Sequence, residues 1–253
     1  MAEDKRRPHH RAVDRIAALL GAATTDPRGL TLTELARAID APLSSVQKLA
    51  YGLVASGFLD ERDGRYTIGP LSAVLERRSG RNSVRDFDRD QLDALHARTG
   101  AGALLVVRIG DDAVNIESVG LSDAAAFADS TRWRHPLPST AGGRVLLAYM
   151  PERPRREWVA ENLRDDPERT MALLDELDAI RSGGVAVGPS GPLRPDLESV
   201  AVPLFRAGEV VASVALTQPR TGAGRTLDEL HDALMEATRD HRTPGGDSST
   251  FRE

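Results

Sequence analysis

Ser44, Ser45, Gln47, Lys48 and Tyr51 place, within eight residues, five side chains able to read another molecule's hydrogen-bonding edges. A glutamine amide matches adenine in a major groove. A lysine reaches guanine or phosphate, and serine hydroxyls beside helix N-terminal amides bind phosphate oxygens. Arg62 and Arg65 add guanidinium groups suited to phosphate or a minor groove, or to keeping a hairpin soluble. Catalytic chemistry finds much less. With no cysteine, disulfides, thiolate metal sites and cysteine nucleophiles lack their atoms. His9, His10, His96, His135, His231 and His241 do not have the spacing of a metal motif, and no Gly-x-Ser-x-Gly, phosphate loop or dinucleotide fingerprint occurs. Asp111-Asp112 and Asp165-Asp166 read as turn and helix-end residues. No catalytic residue, metal or cofactor is expected.

Every surface helix has a polar face, so the elements that position this one decide what it means. Val46, Leu49 and Leu53 are spaced as one apolar face of a helix over Leu43 to Ser56, and the 100° step then turns Ser44, Ser45, Gln47, Lys48 and Tyr51 outward. Thr31 with Glu34 is a capping box opening a shorter helix before it, stopped by Asp40-Ala41-Pro42. Val13, Ile16, Ala17, Leu19 and Leu20 line one face of a first helix ending near Ala23. After Gly57 the period changes to two, and Asp63-Gly64 between alternating runs predicts a two-residue hairpin. Three helices and a hairpin make a winged helix-turn-helix domain over residues 11–69, and this arrangement favours DNA binding for the polar face.

Residues 70–83 read as a linker helix and a polar Ser/Gly/Asn joint, and residues 84–241 as a second domain. There a helix over Val84 to Thr99 carries Phe87, Leu92 and Leu95 inward. Strand pairs are expected over Ala103–Ile109 with Ala113–Val119 and over Glu198–Phe205 with Glu209–Thr217, and helices over Ala141–Met150, Trp158–Leu163, Met171–Ile180 and Leu227–Thr238. The pattern is α+β, on one mainly antiparallel sheet. Residues 1–10 and 242–253 read as disordered tails.

The chain has 253 residues, 40% of them hydrophobic, and a net charge of −5, which by itself does not point to nucleic acid. The charge is unevenly distributed: residues 1–78 carry +2 and residues 79–253 carry −7. No apolar run is long enough to span a bilayer and no signal peptide is visible, so a soluble cytoplasmic protein without membrane contact is expected.

Three stretches together carry a family resemblance. LTLTELARAIDAPLSSVQKLAYGLVASGFLDERDGRYTIGPLSAVL, from Leu30 to Leu75, resembles the winged helix of IclR-family transcriptional regulators. HPLPSTAGGRVLLAYMP, from His135 to Pro151, is similar to the segment leading into that family's central helix. ELDAIRSGGVAV at 176–187 with ESVAVPLFRAGEVVASVALTQP at 198–219 is similar to its C-terminal strand pair. The resemblance implies a DNA-binding homodimer or dimer of dimers, with a double-stranded operator as partner and repression as the expected sign. It also implies a GAF-like C-terminal sensor domain that binds a small effector, a carboxylate or an aromatic metabolite. Carried over motif by motif, the effector residues are Ser139, Thr140, Ala141 and Gly142, then Glu198, Ser199 and Ala201, then Thr217. Trp133, between Arg132 and Arg134, is a further candidate where this chain departs from the family pattern, and Lys48 and Arg144 stand where the family has arginine and lysine. A module whose winged helix no longer binds DNA is the alternative, kept open by Gly52 inside the Leu43 to Ser56 helix and by the mild charge of the N-terminal domain.

Overall fold

A computed structural model of the chain describes residues 10–79, 87–121, 134–163, 166–191, 194–221 and 224–241. They form two compact units, one holding residues 10–79 and the other the described residues from 87 to 241.

The N-terminal unit runs α1 (Arg11–Ala22), β1 (Leu30–Thr31), α2 (Leu32–Ala38), α3 (Leu43–Ala55), β2 (Leu59–Arg62), β3 (Arg65–Ile68) and α4 (Leu71–Ser79). The capping box starts α2 as its sequence demands: Thr31 N donates to Glu34 Oε2 at 2.8 Å, and Glu34 N donates to Thr31 Oγ1 at 3.3 Å. The Thr31 N–H holds the Glu34 carboxyl below its usual range. In the hairpin turn Asp63 has φ 54° and Gly64 φ 73°, the left-handed pair that a tight two-residue connection needs. The core gathers Leu19, Leu35, Val46, Ala50, Leu53, Leu59 and Tyr66. It differs from the expected faces in two places. Val13 is exposed, because the first turn of α1 runs past the core, and Ala50 is fully buried where Leu49 is only half-buried. The short β1 has no counterpart among the expected elements; it joins the sheet through Leu30↔Tyr66, giving the order β1-β3-β2.

The C-terminal unit contains α5 (Arg89–Thr99), β4 (Gly102–Ile109), β5 (Asp112–Val119), β6 (Arg134–Pro136), α6 (Ala141–Ala148), α7 (Glu152–Asn162), α8 (Pro167–Gly183), β7 (Ala186–Pro189), β8 (Leu197–Arg206), β9 (Glu209–Pro219) and α9 (Leu227–Ala237). Its sheet has the order β6-β5-β4-β9-β8-β7, and every neighbouring pair is antiparallel. Strand alternation divides its side chains. Ala103, Leu105, Val200, Val202, Leu204, Ala212, Val214 and Leu216 pack beneath Leu92 and Leu95 of α5 and Leu230 and Leu234 of α9. Leu104, Val106, Ser199, Ala201, Ser213, Ala215 and Thr217 take the other face, where α6 lies.

Three differences from expectation have local causes. Helix α5 starts at Arg89 because Asp88 and Gln91 form a capping box there, and residues 84–86 lie outside the described residues. Helix α7 starts at Glu152 rather than Trp158, since its first turns are charged and show no apolar period. Strands β6 and β7 are too short to show alternation. No helix among the described residues is long and apolar enough to cross a membrane.

Candidate functional site

On α3, Ser44, Lys48 and Tyr51 are exposed and Ser45 and Gln47 half-buried, all on the side away from Val46, Ala50 and Leu53. Pro42 precedes the helix without a side-chain cap, and no acidic residue stands in the first turn. The positive end of the helix dipole is thus not neutralised by the helix's own first turn. The Gln47 amide Nε2 donates to Tyr51 OH at 2.9 Å, linking two of these side chains along the face.

The wing arginines differ. Arg62 pairs with Asp60 at 3.0 Å while its side chain stays 85% exposed, so this surface pair is weak and exchangeable. Arg65 Nη1 donates to Gly29 O at 2.8 Å and lies 3.8 Å from Glu34 Oε2. It fastens the wing to the loop before α2, a structural task that competes with the DNA contact expected of it.

In the C-terminal unit the carried-over residues divide. Thr140 is buried and caps α6, its Oγ1 accepting from Gly143 N at 3.0 Å. Gly142 lets α6 press onto the sheet, where a Cβ would sit 3.1 Å from Val106 Cγ2, and Gly143 lets the preceding turn fold against the helix, where a Cβ would sit 2.1 Å from Leu137 O. Ala141 is fully buried at the same helix start. Ser199 and Thr217 face each other across β8 and β9, and both are hydrogen-bonded to the hydroxyl of Ser190. Gly191, next to Ser190, packs against the His135 ring and Thr140 Cγ2, with a Cβ built there 3.4 Å from each. Thr140, His135, Ser190, Ser199 and Thr217 therefore sit around the same short loop.

Two of these do not stand among the site residues expected from sequence. Ser190 lies in a Gly/Pro-rich loop whose place depends on β7, an element without a sequence signal. His135 opens the His135 to Pro151 stretch and is otherwise weighed only for metal spacing, and its position follows from β6 pairing with β5 through Ala113↔His135. Burial pushes the His135 imidazole below its usual pKa, with the Asp112 carboxylate acting the other way, which favours the neutral ring.

The other candidates are placed elsewhere. Glu198 shares a strand with Ser199 but points to the opposite sheet face, where its Oε1 accepts from Gln218 Nε2 at 3.2 Å. Period-two alternation is the reason, and only its carbonyl, accepting from Thr217 Oγ1 at 3.1 Å, touches the cluster. Ser139 is engaged locally, donating to Pro136 O at 2.7 Å. Ala201 is buried on the cluster's sheet face, paired with Ala186 and Ala215. Trp133 lies outside the described residues. Arg144 forms an ion pair with Glu176 of α8 and donates to Val187 O at 3.1 Å, tying α6 to α8 and β7.

Comparison with known proteins agrees with both units. The family model described as the bacterial transcriptional regulator IclR C-terminal domain matches residues 79–242, and that of the IclR helix-turn-helix domain matches residues 12–63. The chain is 30% identical over 249 residues to the HTH-type transcriptional regulator BhcR of Paracoccus denitrificans, covering 91% of this chain and 85% of that protein. It is 24% identical to the HTH-type transcriptional regulator KipR of Bacillus subtilis over 83% of this chain and 89% of that one. Its fold is similar to that of an IclR homologue from Microbacterium hydrocarbonoxydans crystallised with 4-hydroxybenzoate, with a TM-score of 0.65 at 23% identity, covering 91% of this chain and 99% of that one. With both domain models matched in order, the chain belongs to the IclR family of transcriptional regulators, with a helix-turn-helix DNA-binding domain followed by an effector-binding domain.

Proposed function

We propose that this regulator acts as a cytoplasmic, non-enzymatic repressor. Two copies place their α3 helices in successive major grooves of an operator, and a small anionic or aromatic effector releases it. Ser44, Ser45, Gln47, Lys48 and Tyr51 meet the DNA from α3, and Arg62 meets the backbone from the wing. The observation that carries this reading is the outer face of α3: polar, next to a wing, and starting from an uncapped helix end without acidic residues. The effector is assigned to the cluster of Thr140, His135, Ser190, Ser199 and Thr217, whose hydroxyls and neutral imidazole suit a carboxylate or a phenol. The relative that binds 4-hydroxybenzoate carries both groups on its ligand. The effector acts by binding one of two dimer arrangements better than the other, a coupling of typically about 1–3 kcal/mol.

The decisive experiment replaces Gln47 and Lys48 together with alanine and measures binding to the upstream region of the protein's own gene by gel shift. A folded double variant should lose most of its specific affinity, and undiminished binding would overturn the assignment of α3. For the sensor, 4-hydroxybenzoate and related carboxylates should raise the melting temperature of the wild type and not of Ser190→Ala/Thr217→Ala.

A further inference from the structure

The bond between Gln47 and Tyr51 goes beyond general DNA binding. The two residues are four apart on α3, so successive helical turns bring their side chains together, and Gln47 Nε2 donates to the phenol oxygen at 2.9 Å. Tyr51 is 53% exposed, so the pair lies on the outer face rather than in the core. An unrestrained glutamine on that surface would sample many rotamers and present its amide either way round. Here the amide nitrogen donates to Tyr51 OH, which holds the side chain in one rotamer with its nitrogen beside the phenol. The second amide hydrogen and Oε1 are left side by side as a donor and an acceptor.

That pair has one full complement among the major-groove base edges. Adenine shows the N7 acceptor beside the N6 amino donor, so both hydrogen bonds form at once. Guanine shows two acceptors, N7 and O6, and would set O6 against Oε1. We propose that Gln47 reads adenine at one position of each operator half-site, and that Tyr51 is the positioning residue that orients its amide. The inference rests on the assignment of α3 as the groove-reading helix.

The test uses the full-length protein and duplexes selected from a randomised pool. Each Kd for adenine at the position Gln47 controls is divided by the Kd for guanine there, so that a uniform loss of affinity cancels. The wild type should favour adenine by about 5- to 150-fold, the range of a good bidentate contact. Gln47→Leu should abolish the preference. Tyr51→Phe, which keeps the ring and removes the hydroxyl, should reduce it by about 2- to 12-fold, the cost of immobilising one long side chain. An adenine analogue with carbon in place of N7 should weaken the wild type and leave Gln47→Leu indifferent. An unchanged adenine preference in Tyr51→Phe would overturn the positioning role, and a guanine preference governed by Gln47 would overturn the base assignment. If the wild type selects no sequence at all, the groove-reading assignment itself fails, an outcome distinct from both.

Discussion

The polar face of α3 can be read from the sequence residue by residue, because a helix step of 100° leaves Ser44, Gln47, Lys48 and Tyr51 no other side once Val46 and Leu53 are in the core. The cluster in the C-terminal unit is less legible. Glu198 and Ser199 are neighbours in the chain and face opposite ways in the sheet, whereas Ser190 and Thr217, far apart in sequence, share a hydrogen bond. The position of His135 is likewise set by strand pairing, and it leads to a pH prediction. Burial lowers its folded pKa below the unfolded 6.5, so below that pH the unfolded chain takes up a proton that the folded chain refuses. Stability should be unaffected by this group above pH 6.5, and should fall as pH drops from there toward the lower folded value. Melting curves between about pH 7.5 and 5.5 should be flatter for His135→Asn than for the wild type, and parallel curves would contradict the prediction.

At the level of elements, local chemistry foretells most boundaries that carry a cap. Thr31 with Glu34 starts α2, and Asp63-Gly64 turns the hairpin. Elements held only by tertiary pairing, such as β6 and β7, leave no such mark. Gly52 is the internal inconsistency. It interrupts α3 with the weakest helix former other than proline, and a Cβ there would meet no heavy atom within 4 Å, so packing does not require it. Gly52→Ala should therefore stabilise the N-terminal unit by about 1 kcal/mol. For a domain of this size that is a rise of about 4–8 °C in melting temperature. A decrease would mean that the helix interior resists a methyl group the free structure accommodates.

On the scale of the whole molecule, the charge balance takes on a sharper meaning. The +2 of residues 1–78 and the −7 of residues 79–253 leave the DNA-binding domain mildly basic and the effector domain acidic. Non-specific attraction to DNA is then weak, and affinity depends on a few cations rather than on a broad field. Of the cations on α3 and the wing, Lys48 is exposed and Arg62 is held only by an exchangeable surface pair, whereas Arg65 is held by Gly29 O and Glu34. With Lys48 and Arg62 both bound to phosphates in a dimer, log Kobs should fall against log salt with a slope of about −4, well short of regulators that neutralise many more phosphates. Arg62→Ala should make the slope shallower by about 2, because each copy then neutralises one phosphate fewer. Arg65→Ala should leave the slope in place and lower the melting temperature instead, since it unfastens the wing from the loop before α2. If Arg65→Ala reduced the slope as much as Arg62→Ala, the division of labour between the two wing arginines would be refuted, and the bond to Gly29 O would have to break on binding DNA.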